Sequence, residues 1–276
     1  MNLALMLLSL TGFFYFAAFT VHLISFFGTE RHRPAFALMR VGFLVGTVYF
    51  AAEAIDHGYF LPVLNFTQAL AFFAWSLAFV YLVLMARPGA ESFGLVLSPL
   101  LFLLTAAACM ARLQEAGLQE PPRPVLLNPY FTVHIASAFF AYASFTLSFA
   151  AGILYLIQSH ELKSRNAGRF YHKLPSLEEL EQLIYQPLFW GAPLLLAAMG
   201  VGFIWAKSAF GEFWILEPKT ITTVLTAAMY IVLLVLHARS ALRGRQGAVL
   251  SVIAFGLVLF TFVGTRFLAG AHNFSQ

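Results

Sequence analysis

Four of the eight histidines lie close to the ends of long apolar segments, at His22, His134, His237 and His272. Imidazole is the side chain most often used to bind a metal in proteins. Polar side chains in an apolar interior are costly and normally face a bundle interior or a cavity. A single histidine at a helix end can also snorkel or hydrogen-bond to a carbonyl group, so the relative positions of the four decide between these uses.

The elements that must position these histidines are long apolar segments. The chain has 276 residues, of which 61% are hydrophobic and 10% are charged. Its apolar runs match the roughly 20 residues that an α-helix needs to cross a bilayer. The sequence therefore predicts an all-α, polytopic membrane bundle, one integral domain over 1–276, with spans at 3–27, 36–55, 66–86, 93–111, 130–157, 183–205, 220–238 and 248–270.

The 16 Lys and Arg residues divide unequally between the two faces of this bundle, eleven against five. By the positive-inside rule the richer face is cytoplasmic, which places both termini on the periplasmic, outer side. His22 and His237 then form an inner pair, and His134 and His272 form an outer pair. His57 lies in the outer loop between the second and third spans.

Two histidines from separate helices are what a six-coordinate haem iron requires, and helix bundles build such sites from facing side chains. Zinc fits less well, because no Cys, Asp or Glu accompanies these histidines at ligand spacing. The pattern predicts haem b, in one or two copies, each bound by two histidines. Nucleic acid is not an expected partner, since the basic residues form no stripe with stacking aromatics.

The segment FGEFWILEPK joins the sixth and seventh spans within an outer aromatic loop at about 206–219. Its aromatic rings can stack on a flat ligand. We expect it to form one wall of an outer haem pocket, with basic side chains near the propionates. The residues expected there are Phe210, Phe213, Trp214 and Lys219, with Lys207 or Arg266. The alternative is an ordinary belt of interfacial aromatic residues.

The cytoplasmic loop between the fifth and sixth spans contains PSLEELEQL. Ser176 and Glu179 have the S-x-x-E spacing of a capping box, which marks the start of a helix. The pattern predicts a short amphipathic helix at about 176–185 that lies on the surface and closes this loop.

Several blocks of the sequence resemble, in order, those of the cytochrome c assembly protein family. They are TVHIASAFFAYASFTLS, YHKLPSLEELEQLIY, GFIWAKSAFGEFWILEPK, YIVLLVLHARSALRGRQG and LFTFVGTRFLAGAHNFS. The family includes haem-handling membrane proteins of the CcsA/ResC and CcmC types and HemX-like members. The resemblance covers roughly residues 130–276, and LPVLNFTQALAFFAW is similar more loosely.

This resemblance implies an outer, tryptophan-rich shelf that holds haem between two outer histidines, with a further histidine pair inside the membrane. By position, the outer ligands would be His134 and His272, and the block LHAR would make His237 a membrane ligand. His22 is assigned as the partner of His237 by topology rather than by a matching motif.

The shelf departs from the family pattern. Phe210 and Leu216 stand where tryptophans are expected, and Glu217 replaces an aspartate. Phenylalanine can still stack on a porphyrin, but it lacks the indole N–H that could reach a propionate. Haem binding is therefore expected, whereas covalent haem ligation by this chain alone is not.

Three functions remain open. The first is haem handling for cytochrome c maturation in the bacterial inner membrane, with a second biogenesis membrane subunit and apocytochrome c as partners. The second is HemX-like regulation of tetrapyrrole synthesis. The third is electron transfer through two haems. The sequence favours the first two in that order.

Overall fold

A computed structural model describes residues 3–28, 33–58, 60–84, 93–115, 127–163, 174–211 and 218–262. Within these ranges the chain is all-α, with eight helices and no strand. The helices are α1 Leu3–Phe27, α2 Arg33–His57, α3 Phe66–Leu84, α4 Gly94–Glu115, α5 Pro129–Lys163, α6 Leu177–Phe210, α7 Pro218–Ala238 and α8 Arg245–Phe262.

Seven of these helices, α1 to α7, are long and apolar enough to cross a membrane, while α8 is apolar but shorter. Large apolar side chains also point away from the packed interior, as at Phe13 and Leu44, which are 61% and 60% exposed. Exposed apolar side chains on long apolar helices are what lipid contact requires. The prediction of an all-α, multi-pass membrane bundle is confirmed, and the orientation of its termini stays a prediction.

Several helix ends differ from the predicted spans, and two of these differences change a predicted element. The predicted surface helix at 176–185 is wrong as a separate element, because it continues without interruption into the sixth span as α6. Its predicted capping box is confirmed: the Ser176 hydroxyl accepts a hydrogen bond from the Glu179 N–H at 3.2 Å, and the Glu179 carboxylate accepts one from the Ser176 N–H at 2.8 Å. His57, predicted in a loop, is the last residue of α2.

The chain divides into two compact units, Met1–Thr132 and Val133–Gln276, and its description as a single domain stays a prediction. In the first unit, α1 packs against α2 and α4, and α3 packs against α2 and α4. Gly42 permits the close approach of α1 and α2, since a Cβ at this position would lie 2.8 Å from the ring of Tyr15.

A buried ion pair joins three helices of the first unit. The Glu53 side chain is 2% exposed, and its Oε1 accepts a hydrogen bond from Arg112 Nη2 at 2.9 Å. The Gln68 amide donates to the other carboxylate oxygen at 3.0 Å. Because both oxygens have partners, the cost of burying the charge is offset and the ends of α2, α3 and α4 are held together.

Replacing Arg112 with alanine is expected to destabilise the protein by about 3–5 kcal/mol, because the Glu53 carboxylate would stay buried without its cation. Denaturant unfolding of the purified protein in detergent measures this loss. The double variant Glu53→Leu with Arg112→Met removes both charges and is expected to recover most of the stability. A single variant as stable as the original protein would show that the ion pair does not hold these helices.

In the second unit, α5 contacts each of the other three helices. The Phe145 ring stacks on Tyr230 of α7 with centroids 3.8 Å apart, and the Ser148 hydroxyl lies 2.8 Å from that of Ser251 on α8. Gly191 lets α6 approach α5, since a Cβ there would lie 2.8 Å from Ser144. Small residues and paired hydroxyl groups are typical of contacts between membrane helices.

Candidate functional site

His134 lies in the second turn of α5 and contacts α6. Its Nδ1 is 2.7 Å from the carbonyl oxygen of Ala198. A carbonyl oxygen can only accept a hydrogen bond, so Nδ1 carries the proton in this contact. In the neutral ring the lone pair then belongs to Nε2. Histidines that bind metals commonly hold their other ring N–H on a carbonyl or carboxylate group, which sets both the tautomer and the ring plane.

The surface of α6 that receives this ring is shaped by Gly202. A Cβ at residue 202 would lie 2.7 Å from His134 Nδ1, so the imidazole can occupy this position because the residue has no side chain. The indole of Trp205 lies nearly parallel to the imidazole, at 12° with ring centroids 6.2 Å apart. Ala198, Gly202 and Trp205 therefore form a seat for His134 on α6.

Sequence reasoning did not single out these three residues of α6. Gly202 and Trp205 lie within the block GFIWAKSAFGEFWILEPK, but a role for them there was not recognised. Gly202 follows Ala198 by four residues and Trp205 follows Gly202 by three, so all three lie on one face of a helix. The available signal for a histidine-binding surface was this combination of two small residues and one aromatic residue on the same helix face.

The connection between α6 and α7 is shorter than the predicted loop at 206–219. α6 continues to Phe210 and is capped by Gly211 in the left-handed conformation, with φ +81°, and α7 begins at Pro218. Lys219 is half-buried in the first turn of α7. Phe213 and Trp214 lie outside the described residues, as do the side chain of Phe210 and the whole of His272 and Arg266.

His237 lies in the last turn of α7 and is half-buried. Its imidazole stacks on the ring of Tyr185 from α6, at 15° with centroids 3.4 Å apart. Its Nδ1 is 3.4 Å from the carbonyl oxygen of Leu242, which is a long and therefore weak contact. As at His134, a proton shared with a carbonyl oxygen leaves the lone pair on Nε2.

His22 belongs to the first unit and is completely buried there, with both ring nitrogens shielded. A Cβ at Gly94, the first residue of α4, would meet His22 Nε2 and would lie 2.8 Å from the Tyr81 hydroxyl. The absence of a side chain at Gly94 thus makes room for His22 between α3 and α4. In this conformation the ring presents neither nitrogen at a surface.

The predicted pairing of histidines is not tested by these positions. His134 and His237 belong to the second unit, His22 belongs to the first, and His272 lies outside the described residues. Each pair stays a prediction. Within the described ranges, no three His, Cys, Asp or Glu side chains come together as a metal-binding group.

Comparison with known proteins gives consistent matches over most of the chain. The family described as Cytochrome C assembly protein matches residues 63–272. Protein HemX of Brevibacillus brevis is 30% identical over 92% of this chain and 93% of its own length, and Protein HemX of Bacillus subtilis (strain 168) is 26% identical over 97% and 94%. The cytochrome c biogenesis protein CcsA of Guillardia theta is 24% identical over 83% of this chain and 81% of its own length.

Proposed function

Because the chain belongs to the cytochrome c assembly protein family, we propose that it binds haem and passes it from the inner to the outer face of the membrane for cytochrome c maturation. The single observation that carries this proposal is the contact of His134 Nδ1 with the Ala198 carbonyl. In the neutral ring this contact leaves the lone pair on Nε2. The predicted topology puts His134 at the outer end of α5. The proposed membrane is the bacterial inner membrane.

His134 has the features that one axial ligand of haem iron needs. A histidine that binds haem iron needs one unprotonated ring nitrogen and a ring plane that is held in place. The Ala198 carbonyl supplies the first condition, and the seat formed by Gly202 and Trp205 supplies the second. The second axial ligand in this proposal is His272. Haem is the cargo here, and its iron supplies the Lewis acid that the two imidazoles bind.

Lys219 supports an outer site of this kind through charge. It lies in the first turn of α7, next to Pro218, which begins the helix. The N-terminus of a helix carries a partial positive charge, which adds to that of the lysine ammonium. The combination favours the carboxylates of the haem propionates. Phe210, Phe213 and Trp214 complete this proposed pocket as stacking surfaces.

The inner ligand in this proposal is His237, with His22 as its partner. Like His134, His237 has its Nδ1 near a carbonyl oxygen, although at the longer distance of 3.4 Å. For His22 to bind iron, its ring would have to leave the space beside Gly94. Haem entering at His237 would move to His134 and then to apocytochrome c, with a second biogenesis subunit guiding the acceptor.

The absorption spectrum of the purified protein, with a pyridine haemochrome assay, tests this function. The expected result is b-type haem with the narrow visible bands of low-spin, bis-histidine ligation. A host strain without the protein is expected to lose its c-type cytochromes and regain them on complementation. A colourless protein from haem-replete cells, or a deletion strain with normal c-type cytochromes, would contradict haem handling.

A second candidate function is regulation of tetrapyrrole synthesis, as in the HemX-like members. The observation that favours it is the similarity to Protein HemX of Brevibacillus brevis, which extends over 93% of that protein. The identity is 30%, against 24% for the CcsA protein of Guillardia theta. Deletion would then change the abundance of an early tetrapyrrole enzyme while c-type cytochromes stayed intact. The same deletion strain therefore separates the two candidates.

A further inference from the structure

The first turns of α6 contact His237 directly. Tyr185 is 6% exposed, and its ring covers one face of the His237 imidazole at a centroid distance of 3.4 Å. Stacked aromatic rings of this kind interact favourably beyond the apolar area that they bury. The ring plane of His237 is therefore restricted by a side chain from another helix.

One carbonyl oxygen in the α7–α8 turn accepts from both of these side chains. The Tyr185 hydroxyl donates to the Leu242 oxygen at 3.5 Å, and His237 Nδ1 lies 3.4 Å from the same atom. Both distances are at the long end for hydrogen bonds, so each bond is weak. We expect the stacked face of Tyr185 to restrict the imidazole more than either bond does.

Two glycines and a carboxylate hold Tyr185 and the turn in place. A Cβ at Gly247 would collide with the Tyr185 hydroxyl, so the tyrosine fits because this residue of α8 has no side chain. The Glu181 carboxylate accepts a hydrogen bond from the Gly244 N–H at 3.1 Å, and Gly244 has φ +59°. Glu181 and Tyr185 are four residues apart and so lie on one face of α6.

We propose that Tyr185 is a positioning residue for His237: its ring fixes the imidazole plane so that Nδ1 meets the Leu242 carbonyl and Nε2 keeps the lone pair. The Glu181 carboxylate holds the α7–α8 turn through Gly244, and Gly247 leaves room for the Tyr185 hydroxyl. The inference deepens the haem-handling function proposed above and rests on it, since Nε2 is the nitrogen that iron would need. It also gives a role to the first turns of α6, which the sequence predicted to be a separate surface helix.

Nitrogen-15 NMR of the histidine rings tests this proposal without relying on transfer activity. The full chain without haem, labelled with nitrogen-15 histidine in nanodiscs, is compared with His237→Asn to assign the His237 signals, because iron bound to Nε2 would itself fix the tautomer. A protonated Nδ1 and an unprotonated Nε2 are expected. Tyr185→Leu is expected to shift the tautomer ratio several-fold towards the other form, whereas Tyr185→Phe, which keeps the stacked ring, retains the original signature.

Matched substitutions control for general loosening of the helices. Gly247→Ala is expected to displace Tyr185 and act like Tyr185→Leu. Gly256→Ala lies on the same helix, where a Cβ would meet nothing within 4 Å, and is expected to leave the signals unchanged. Tyr230→Phe removes a buried hydroxyl without a hydrogen-bond partner among the described residues, and it is also expected to have no effect.

The outcomes separate this inference from the proposed function. An unchanged His237 signature in Tyr185→Leu overturns the positioning role, even if the protein carries haem. An equal change in Tyr230→Phe overturns it too, since any buried tyrosine would then do the same. If the protein carries no haem, the proposed function fails, and the tautomer comparison still decides whether Tyr185 orients His237.

Discussion

Replacing His134 with alanine is expected to abolish the haem signal of the outer site, because the substitution removes the Nε2 lone pair that we assign to the iron. The hydrogen bond to Ala198 contributes only about 1 kcal/mol to folding, so the helices are expected to stay assembled. Soret absorbance and pyridine haemochrome content per protein molecule measure the loss. Unfolding in denaturant, recorded on the same samples, shows that the fold is kept.

His160→Ala is the matched control for this prediction. His160 lies on the same helix, α5, and is exposed to solvent or lipid. Its replacement is expected to leave haem content unchanged. The variant His134→Gly adds a rescue test, since imidazole supplied in the buffer can occupy the vacated space and restore low-spin absorption. Full haem content in His134→Ala, or equal losses in both alanine variants, would count against His134 as a ligand.

Gly202→Ala is expected to weaken haem binding without removing any ligand. The new Cβ would lie 2.7 Å from His134 Nδ1, so the imidazole must shift and its bond to the Ala198 carbonyl must lengthen or break. Loss of such a contact behind a metal ligand typically costs roughly 10–100-fold in affinity. Titration of the apoprotein with haem measures this change.

Gly200→Ala provides the comparison for that substitution. Gly200 is two residues earlier on α6, and a Cβ there would meet nothing within 4 Å. Alanine is preferred to glycine inside a helix by about 1 kcal/mol, so this variant is expected to be slightly more stable and to bind haem normally. Identical affinities for the two alanine variants would refute the role given to the seat on α6.

The helices could largely be predicted from the sequence because their signal is local. The apolar run at 3–27 coincides with α1, since its length and composition alone decide that it forms a span. The error at 176–185 has a local cause as well. The capping box at Ser176 and Glu179 marks the start of a helix, yet nothing after it ends that helix, which continues through Pro187 and Pro193.

The candidate site could be predicted only in part. His134 and His237 were found from their residue type and their places at helix ends. The residues that hold them, Gly202 and Tyr185, lie 68 and 52 positions away, and their roles depend on contacts between helices. Such contacts arise from packing, which has no periodic signature in a single sequence. The complete burial of His22 beside Gly94 could not be predicted for the same reason.

A density map of the haem-loaded protein in nanodiscs tests the central claim most directly. The account predicts haem iron within coordination distance of His134 Nε2, with Nδ1 still hydrogen-bonded to the Ala198 carbonyl. A map in which the haem iron is bound by other side chains, while His134 keeps its place on α6 with Nε2 directed elsewhere, would contradict it.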